Sequence, residues 1–388
     1  MTNLESVFDA RTLARLDRWR KARALFLRPD TTAAERALSE VLEKRWLRAQ
    51  VYGRARRVLV ERIPLLLPEL LQKLGPAAEQ VRVSPEDVNQ TKWDAIGNLM
   101  PLSLACRQVR ALWLLDVLRS GSLFVEFQPI FDLRRGEPLG YEGLLRAHSP
   151  DGTRHLAAEI FPAALVLGIE APFERLSWIT VLDAAKRLPS EAMIFLNVNP
   201  ELLTGPDSSL ARLGEEAERM EFPYARLALD LVEIERMQSL DLLQKALAVP
   251  HDLGVSIALD DVTSGYGTLK YCSGLAPRWI KVDSEITRNI RGDAQRRAIL
   301  QLLAQVAREA RVGLIAEGIE FADDLDVCLE EGVFAAQGYF LARPGAPPPE
   351  ATEEFRAWLA ARRGRAEREP SPGPPLETAN TAEPADEL

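Results

Sequence analysis

The hydrophobic and polar positions of this chain follow two successive patterns. Up to residue 118, apolar side chains recur at helical spacing, as Leu13, Leu16 and Trp19 do, which predicts helices. From residue 119, short apolar runs alternate with helical stretches, and past residue 363 the chain is rich in Pro, Glu and Ala. We therefore predict three parts: a helical N-terminal module over 1–118, a larger domain over 119–363 and a disordered tail over 364–388.

The N-terminal module is predicted to be all-helical. A capping sequence around Thr31 predicts a helix over 33–47, and a proline-interrupted apolar pattern predicts another over 55–73. Ser84-Pro85, followed by two acidic residues, is typical of a helix start, so a last helix is expected to run from there towards Arg119. This last helix would connect the module to the larger domain.

The larger domain contains eight apolar runs of strand length. They cover 123–131, 139–146, 192–198, 226–232, 255–260, 278–282, 312–316 and 334–341. Helical segments separate most of them, which implies a parallel sheet, and eight such units match a closed (β/α)8 TIM-type barrel. Only residues 134–138 join the first two runs, so we expect the first strand to pair antiparallel with the second.

The composition limits the class of protein. Of 388 residues, 47% are hydrophobic and 27% are charged, which suits a sizeable core. The net charge is −9, divided into +6 over 1–118 and −15 over the remainder, which argues against binding DNA through a basic surface. The three cysteines show no metal-binding or disulfide spacing. No apolar run reaches membrane-spanning length and no signal-peptide pattern is present, so we expect a cytoplasmic protein without a membrane span.

Polar residues interrupt the apolar runs at or near their carboxyl ends. They are Glu142, Asn197, Asp230, Glu233, Asp260, Asp261, Lys281, Glu317 and Gln337. In a barrel these ends meet at one rim, and carboxylates gathered there repel each other unless a cation is present. Oxygen ligands favour Mg²⁺ or Mn²⁺, and two such ions are the usual arrangement for cleaving a phosphodiester. Taken singly, each residue also fits a helix cap, a turn or a surface position; their recurrence on successive strands favours a site.

Short motifs also follow one another in a fixed order along this domain. They are Phe127-Gln128-Pro129-Ile130, Tyr141-Glu142-Gly143-Leu144-Leu145-Arg146, Asn197-Val198-Asn199, Asp260-Asp261, Ser264-Gly265-Tyr266, Ile280-Lys281-Val282-Asp283, Ala316-Glu317-Gly318-Ile319-Glu320 and Gln337-Gly338-Tyr339-Phe340-Leu341-Ala342-Arg343-Pro344. The ordered set resembles the EAL-domain phosphodiesterases that act on cyclic di-GMP, over about residues 118–344. The resemblance implies an EAL barrel that hydrolyses cyclic di-GMP to linear pGpG in bacterial second-messenger signalling.

The resemblance also implies a role for each matching residue. Glu142, Asn197, Asp260 and Asp230 would hold a first metal ion, and Asp261 would hold a second. Lys281 and Glu317 would bind and deprotonate the attacking water, with Gln337 assisting. Arg146 would pair with a substrate phosphate, where a guanidinium suits the oxyanion. Gln128 would contact the substrate, and Glu233 would steady the loop after the Asp260-Asp261 strand.

Three positions depart from the family pattern. Gly143 replaces an alanine, Asp230 replaces a longer glutamate, and Asp261-Val262-Thr263 stands where the family has Asp-Phe-Gly. Two functions therefore stay open: a phosphodiesterase, or a degenerate EAL domain that serves as a cyclic di-GMP receptor or protein-interaction module. The resemblance further implies a homodimer through the barrel. We expect the N-terminal module to respond to a regulatory protein or ligand.

Overall fold

A computed structural model describes most of the chain between residues 8 and 366. It omits residue 46, the segments 87–91 and 204–208, and residues 233, 235, 236, 238 and 264. The predicted disordered tail lies outside the described residues except for 364–366, which end the last helix. Glu233, expected to steady a loop, lies outside them as well.

The N-terminal module is a mixed α/β unit, so the prediction of an all-helical module is wrong. Its five strands form an antiparallel sheet in the order β2-β3-β1-β4-β5. The strands are β1 (Ala24–Pro29), β2 (Ala49–Tyr52), β3 (Ala55–Leu59), β4 (Val81–Glu86) and β5 (Met100–Pro101). The helices are α1 (Ala10–Lys21), α2 (Thr32–Lys44), α3 (Ile63–Leu74), α4 (Lys92–Gly97), α5 (Leu102–Arg110) and α6 (Trp113–Ser120).

Strand pairing between distant segments explains the error. The start of β1 is a short apolar run, Ala24 to Leu27, that is fully buried and pairs with β3 and β4 on its two sides. Such a run is equally compatible with a buried helix when read alone. Ser84-Pro85, predicted to begin a helix, lies within β4. The predicted cap at Thr31 is confirmed, since its side chain accepts a hydrogen bond of 3.2 Å from Ala34 N at the start of α2.

The larger domain is a closed eight-stranded barrel, as the sequence predicts. Strand β6 pairs antiparallel with β7 and with β14, and the intervening strands are parallel. The barrel strands are β6 (Leu123–Asp132), β7 (Glu137–His148), β9 (Met193–Val198), β10 (Leu227–Leu231), β11 (Ser256–Val262), β12 (Trp279–Val282), β13 (Gly313–Ala316) and β14 (Ala335–Ala336). A ninth strand, β8 (Arg154–Leu156), pairs antiparallel with the end of β7 outside the barrel.

Helices separate the parallel strands of the barrel. They are α7 (Ala157–Leu167), α8 (Glu170–Ala185), α9 (Pro200–Leu203), α10 (Ser209–Arg219), α11 (Leu240–Asp252), α12 (Gly265–Leu275), α13 (Ser284–Thr287), α14 (Ala294–Ala310), α15 (Ala322–Glu330) and α16 (Glu353–Ala366). Among the described helices, none is both long enough and apolar enough to cross a lipid bilayer.

The N-terminal module and the barrel share one hydrophobic core, which is continuous from Trp19 to Phe355. Polar contacts join them at helix α7. Gln108 Nε2 donates to Val166 O (3.2 Å), and Arg15 Nη2 donates to Gly168 O (3.1 Å). The carbonyls of the last turn of a helix have no partner within the helix, so the N-terminal module supplies donors that this turn of α7 needs.

Candidate active site

The predicted site residues share one face of the barrel wall. Apolar residues from seven barrel strands form a separate cluster inside the barrel, and each polar residue lies two positions away on the same strand or directly after it. The pairs are Gln128 with Ile130, Asn197 with Phe195, Asp230 with Ala228, Asp260 with Ala258, Lys281 with Trp279, Glu317 with Ile315 and Gln337 with Ala335. Because side chains alternate between faces along a strand, this spacing directs the polar groups inward, above the apolar cluster.

Lys281 lies at the centre of this polar group and is fully buried. Its Nζ is 2.6 Å from Asp230 Oδ2, 2.9 Å from Asp260 Oδ1 and 2.7 Å from Glu317 Oε1. Glu142 Oε2 lies 4.0 Å away. One lysine thus partly neutralises four carboxylates brought together from separate strands.

Glu142 belongs to a hydrogen-bonded row of side chains across the barrel. Its Oε1 accepts from Asn197 Nδ2 (2.9 Å), and its Oε2 accepts from Gln337 Nε2 (2.7 Å). Gln337 Nε2 also lies 2.9 Å from Gln128 Oε1, while Gln128 Nε2 donates to Ala342 O (3.2 Å). The predicted residues on β6, β7, β9 and β14 are therefore in direct contact.

Burial and mutual repulsion set the protonation behaviour of the carboxyl groups. Burial, reinforced by Asp260, raises the pKa of Asp230 well above its usual range. The pKa of Glu317 is also raised well above its usual value, chiefly by burial and then by Asp260, against the opposing effect of Lys281. Burial opposes the charge of Lys281, but Asp230 and the other carboxylates hold its pKa well above the usual value.

Asp261 reaches the site because the strand is irregular there. The register between β11 and β12 shifts between Leu259 and Val262, and Asp261 adopts a left-handed backbone conformation with φ of 53°. Regular alternation would send adjacent side chains to opposite faces, whereas a bulge re-aims one of them. Carboxylate oxygens of Asp260, Asp261 and Glu317 consequently lie within 4.8 Å of one another. Partial burial, together with Asp260 and Asp283, raises the pKa of Asp261 to about 7.

This group of side chains fits a divalent cation. It opens into a pocket of about 370 Å³, and its donors are carboxylate and amide oxygens, the ligands that Mg²⁺ and Mn²⁺ prefer. Asp230 Oδ1 and Gln337 Oε1 are buried without a hydrogen-bond partner, which is costly unless another group binds there. Residues lining the pocket are Gln128, Glu142, Asp260, Asp261, Asp283, Ser284, Arg288, Glu317, Gly318, Glu320, Gln337, Gly338 and Tyr339.

Arg146 is placed differently from the other predicted residues. It is buried, its Nε donates to Glu126 Oε2 (2.9 Å), and its Nη1 donates to Leu145 O (3.0 Å). Arg154 binds the same Glu126 carboxylate. Arg146 is not among the described residues that line the pocket, so its predicted pairing with a substrate phosphate stays a prediction.

A second pocket, of about 630 Å³, shares Asp261 with the first and is mostly lined by apolar side chains, many of them on α7. Its wall includes Glu174, which is 3% exposed. Glu174 Oε1 accepts a hydrogen bond of 2.7 Å from Asn199 N, and Oε2 has no partner. The sequence pattern does not single out Glu174, because this residue lies in a helix, away from every strand end.

Burial raises the pKa of Glu174 to about 8, which predicts a pH-dependent effect of Glu174→Gln. The unfolded chain releases this proton near pH 4.5, whereas the folded chain keeps it up to about pH 8, so its contribution to stability falls across that window. We expect the free energy of unfolding of the variant to match that of the wild type at pH 4 and to exceed it by on the order of 5 kcal/mol at pH 8.5. Urea unfolding of both proteins at each pH measures this difference. A difference that does not vary with pH would contradict the assignment.

The fold and the site together define a class of protein: a (β/α)8-type barrel with a cluster of carboxylates at the carboxyl ends of its strands. The particular family follows from comparison with known proteins. Residues 111–344 match the family model of the EAL domain, so this chain belongs to the EAL-domain family, as the sequence motifs predict.

The names of two relatives refer to cyclic di-GMP phosphodiesterase activity. The chain is 29% identical over 242 residues to cyclic di-GMP phosphodiesterase PA2567 of Pseudomonas aeruginosa, a match that covers 60% of this chain and 39% of the relative. It is 26% identical over 235 residues to the probable cyclic di-GMP phosphodiesterase PdeG of Escherichia coli, covering 58% and 45%. The matches thus span less than half the length of these relatives.

Solved structures share the fold. A standalone EAL protein of Vibrio cholerae in its c-di-GMP-bound form has a TM-score of 0.52 and 24% identity, and the match covers 60% of this chain and 97% of that one. The Bacillus subtilis YkuI protein, in complex with c-di-GMP and calcium, has a TM-score of 0.54 and 22% identity, with 66% of each chain covered. At these identities the similarity supports the barrel fold.

Proposed function

We propose that this chain is a metal-dependent phosphodiesterase that hydrolyses cyclic di-GMP to linear pGpG. The observation that carries the proposal is the group of Glu142, Asp230, Asp260 and Glu317 around the buried Lys281. Four carboxylates sharing one cation are suited to a divalent metal ion, and a phosphodiester is the substrate that such a site cleaves. Family membership and the phosphodiesterase names of PA2567 and PdeG support the same reaction.

The proposal gives each of these side chains a role. Glu142, Asn197, Asp230 and Asp260 would hold a first Mg²⁺ or Mn²⁺, and Asp261 a second. When bound, such an ion lowers the pKa of water and stabilises negative charge on phosphate oxygens. Lys281 Nζ lies 2.7 Å from Glu317 Oε1, which supports Glu317 as the carboxylate that would take a proton from the attacking water. Gln337 orients Glu142, and Gln128 and Arg146 would contact the substrate.

The direct test is hydrolysis of cyclic di-GMP by the purified protein in Mg²⁺ or Mn²⁺, with pGpG followed by chromatography. We expect product from the wild type and none from Glu317→Ala. A wild type that binds cyclic di-GMP without forming pGpG would contradict the enzyme proposal and favour the receptor. A wild type with neither property would direct attention to the N-terminal module and its partners.

One observation favours the second candidate function, a catalytically weak cyclic di-GMP receptor. Asp230 is fully buried and is held by Lys281, and it is not among the described residues lining the pocket. Its side chain is one methylene shorter than the glutamate that the family pattern has there. An Asp230 carboxylate that does not reach the pocket would bind the first metal ion weakly, and hydrolysis would therefore be slow.

Asp230→Glu tests that second candidate. The longer side chain is expected to retain the contact with Lys281 and to extend a carboxylate towards the metal site, so the rate of cyclic di-GMP hydrolysis should be equal to the wild type or as much as about tenfold higher. Steady-state kinetics at several Mn²⁺ concentrations measure both the rate and the metal requirement. Complete loss of hydrolysis would show that Asp230 does not serve as a metal ligand.

A further inference from the structure

The charge of the active-site pocket is almost entirely negative. Six of its lining residues are acidic: Glu142, Asp260, Asp261, Asp283, Glu317 and Glu320. Among the described residues that line it, Arg288 is the only one with a cationic side chain. A substrate with two phosphates therefore meets strong repulsion wherever neither a bound metal ion nor Arg288 offsets it.

The backbone that carries Arg288 is firmly held. Arg288 directly follows α13, just beyond the strand that bears Lys281. On one side, the Thr287 hydroxyl donates to the backbone carbonyl of Glu317. On the other, the buried carboxylate of Asp324 accepts hydrogen bonds from Asn289 N (3.0 Å) and Arg291 N (3.3 Å). The backbone position of Arg288 is thus fixed relative to the carboxylates of the site.

The guanidinium of Arg288 lies at the pocket rim. The Arg288 side chain is 53% exposed and forms an ion pair with Glu320, which also lines the pocket. An exposed pair of this kind contributes little to stability, so Glu320 can hold Arg288 near the pocket without preventing it from binding an incoming anion. A guanidinium offers two parallel donors that match the geometry of a phosphate.

Arg146, by contrast, is not among the described residues that line this pocket. Its guanidinium is bound to Glu126 and to Leu145 O. Contact with a phosphate in the pocket would require it to leave both partners.

We propose that Arg288 binds the phosphate of the cyclic dinucleotide that is not being hydrolysed. This inference rests on the proposed function, which places the other phosphate at the metal site. The ring of a cyclic dinucleotide keeps its two phosphates close together, so the second must also lie within this pocket. Arg288 is then a substrate-binding residue that selects for a ligand with two phosphates, and Glu320 is its positioning partner.

The test compares Arg288→Ala and Arg288→Lys with a matched control, Arg291→Ala. Arg291 lies three residues away, is exposed and pairs with Asp323, and it does not line the pocket. The affinity for cyclic di-GMP is measured by calorimetry with Ca²⁺, which requires no turnover. Hydrolysis of cyclic di-GMP and of bis(p-nitrophenyl) phosphate, which has a single phosphate, is then compared in Mn²⁺.

We expect Arg288→Ala to weaken cyclic di-GMP binding about tenfold, since a charge-assisted hydrogen bond is lost. Arg288→Lys should retain part of the affinity, because it keeps the charge without the paired donors, and Arg291→Ala should bind as the wild type does. The loss of kcat/KM with Arg288→Ala should be several-fold larger for cyclic di-GMP than for bis(p-nitrophenyl) phosphate.

Two outcomes would overturn the inference in different ways. If the wild type hydrolyses cyclic di-GMP and Arg288→Ala binds it with unchanged affinity, the role of Arg288 is wrong and the proposed function stands. If the wild type cleaves bis(p-nitrophenyl) phosphate but neither binds nor hydrolyses cyclic di-GMP, the proposed function fails and the inference fails with it.

Discussion

Replacing Lys281 with Met is expected to lower the free energy of unfolding by about 3–5 kcal/mol and to abolish hydrolysis. Lys281 is fully buried and lies within 2.9 Å of oxygens on Asp230, Asp260 and Glu317. Removing one partner of a buried ion pair leaves uncompensated charge, which costs far more than the pair itself contributes. Urea unfolding in EDTA measures the loss.

Added Mn²⁺ should restore part of the stability of the Lys281→Met protein, because a divalent cation supplies positive charge to the same carboxylates. The control is Lys245→Met, which removes an exposed lysine of α11 and should unfold as the wild type does. Equal unfolding curves for the two variants would show that Lys281 does not offset the charge of the site.

Glu142→Ala is expected to reduce cyclic di-GMP hydrolysis by more than about a hundredfold. Loss of a residue that merely supports a metal ligand costs roughly 10- to 100-fold, and Glu142, which is hydrogen-bonded to Asn197 and Gln337, is proposed to be a ligand itself. The variant should also bind Mn²⁺ more weakly. Kinetics and calorimetric titration with Mn²⁺ measure the two effects.

Glu137→Ala is the matched control for this experiment, since Glu137 lies on the same strand and is exposed. It should retain wild-type kinetics. Hydrolysis by Glu142→Ala within tenfold of the wild type would refute the assignment of Glu142 as a metal ligand.

The barrel and most of the candidate site were accessible from the sequence for a physical reason. Most barrel strands are apolar runs with a polar residue near or just after the carboxyl end, so the local pattern alone indicates both the strand and that end. Closure of the barrel then brings together residues as distant as Glu142 and Gln337. The antiparallel pairing of β6 with β7 was also predictable, because the connection between them is too short for a helix.

What the sequence pattern missed depends on contacts between distant residues. The N-terminal sheet is stabilised by the pairing of β1 with β3 and β4, which no local window records. The irregular register that aims Asp261 at the site appears only when β11 pairs with β12. Likewise, the hydrogen bond between Arg146 and Glu126 joins two residues 20 positions apart. No sequence motif marks Arg288 as a residue at the rim of the pocket.

The contacts at helix α7 have a consequence for how this protein can be divided. The match to the EAL domain begins at residue 111, yet Arg15 and Gln108 supply donors to the last turn of α7, and the core is continuous across that boundary. A fragment starting at residue 111 would leave backbone carbonyls at the end of α7 without these donors. It would also expose one face of α7, while the opposite face of the same helix lines the apolar pocket. In this chain, the region that matches the family model and the unit that shares one hydrophobic core therefore have different lengths.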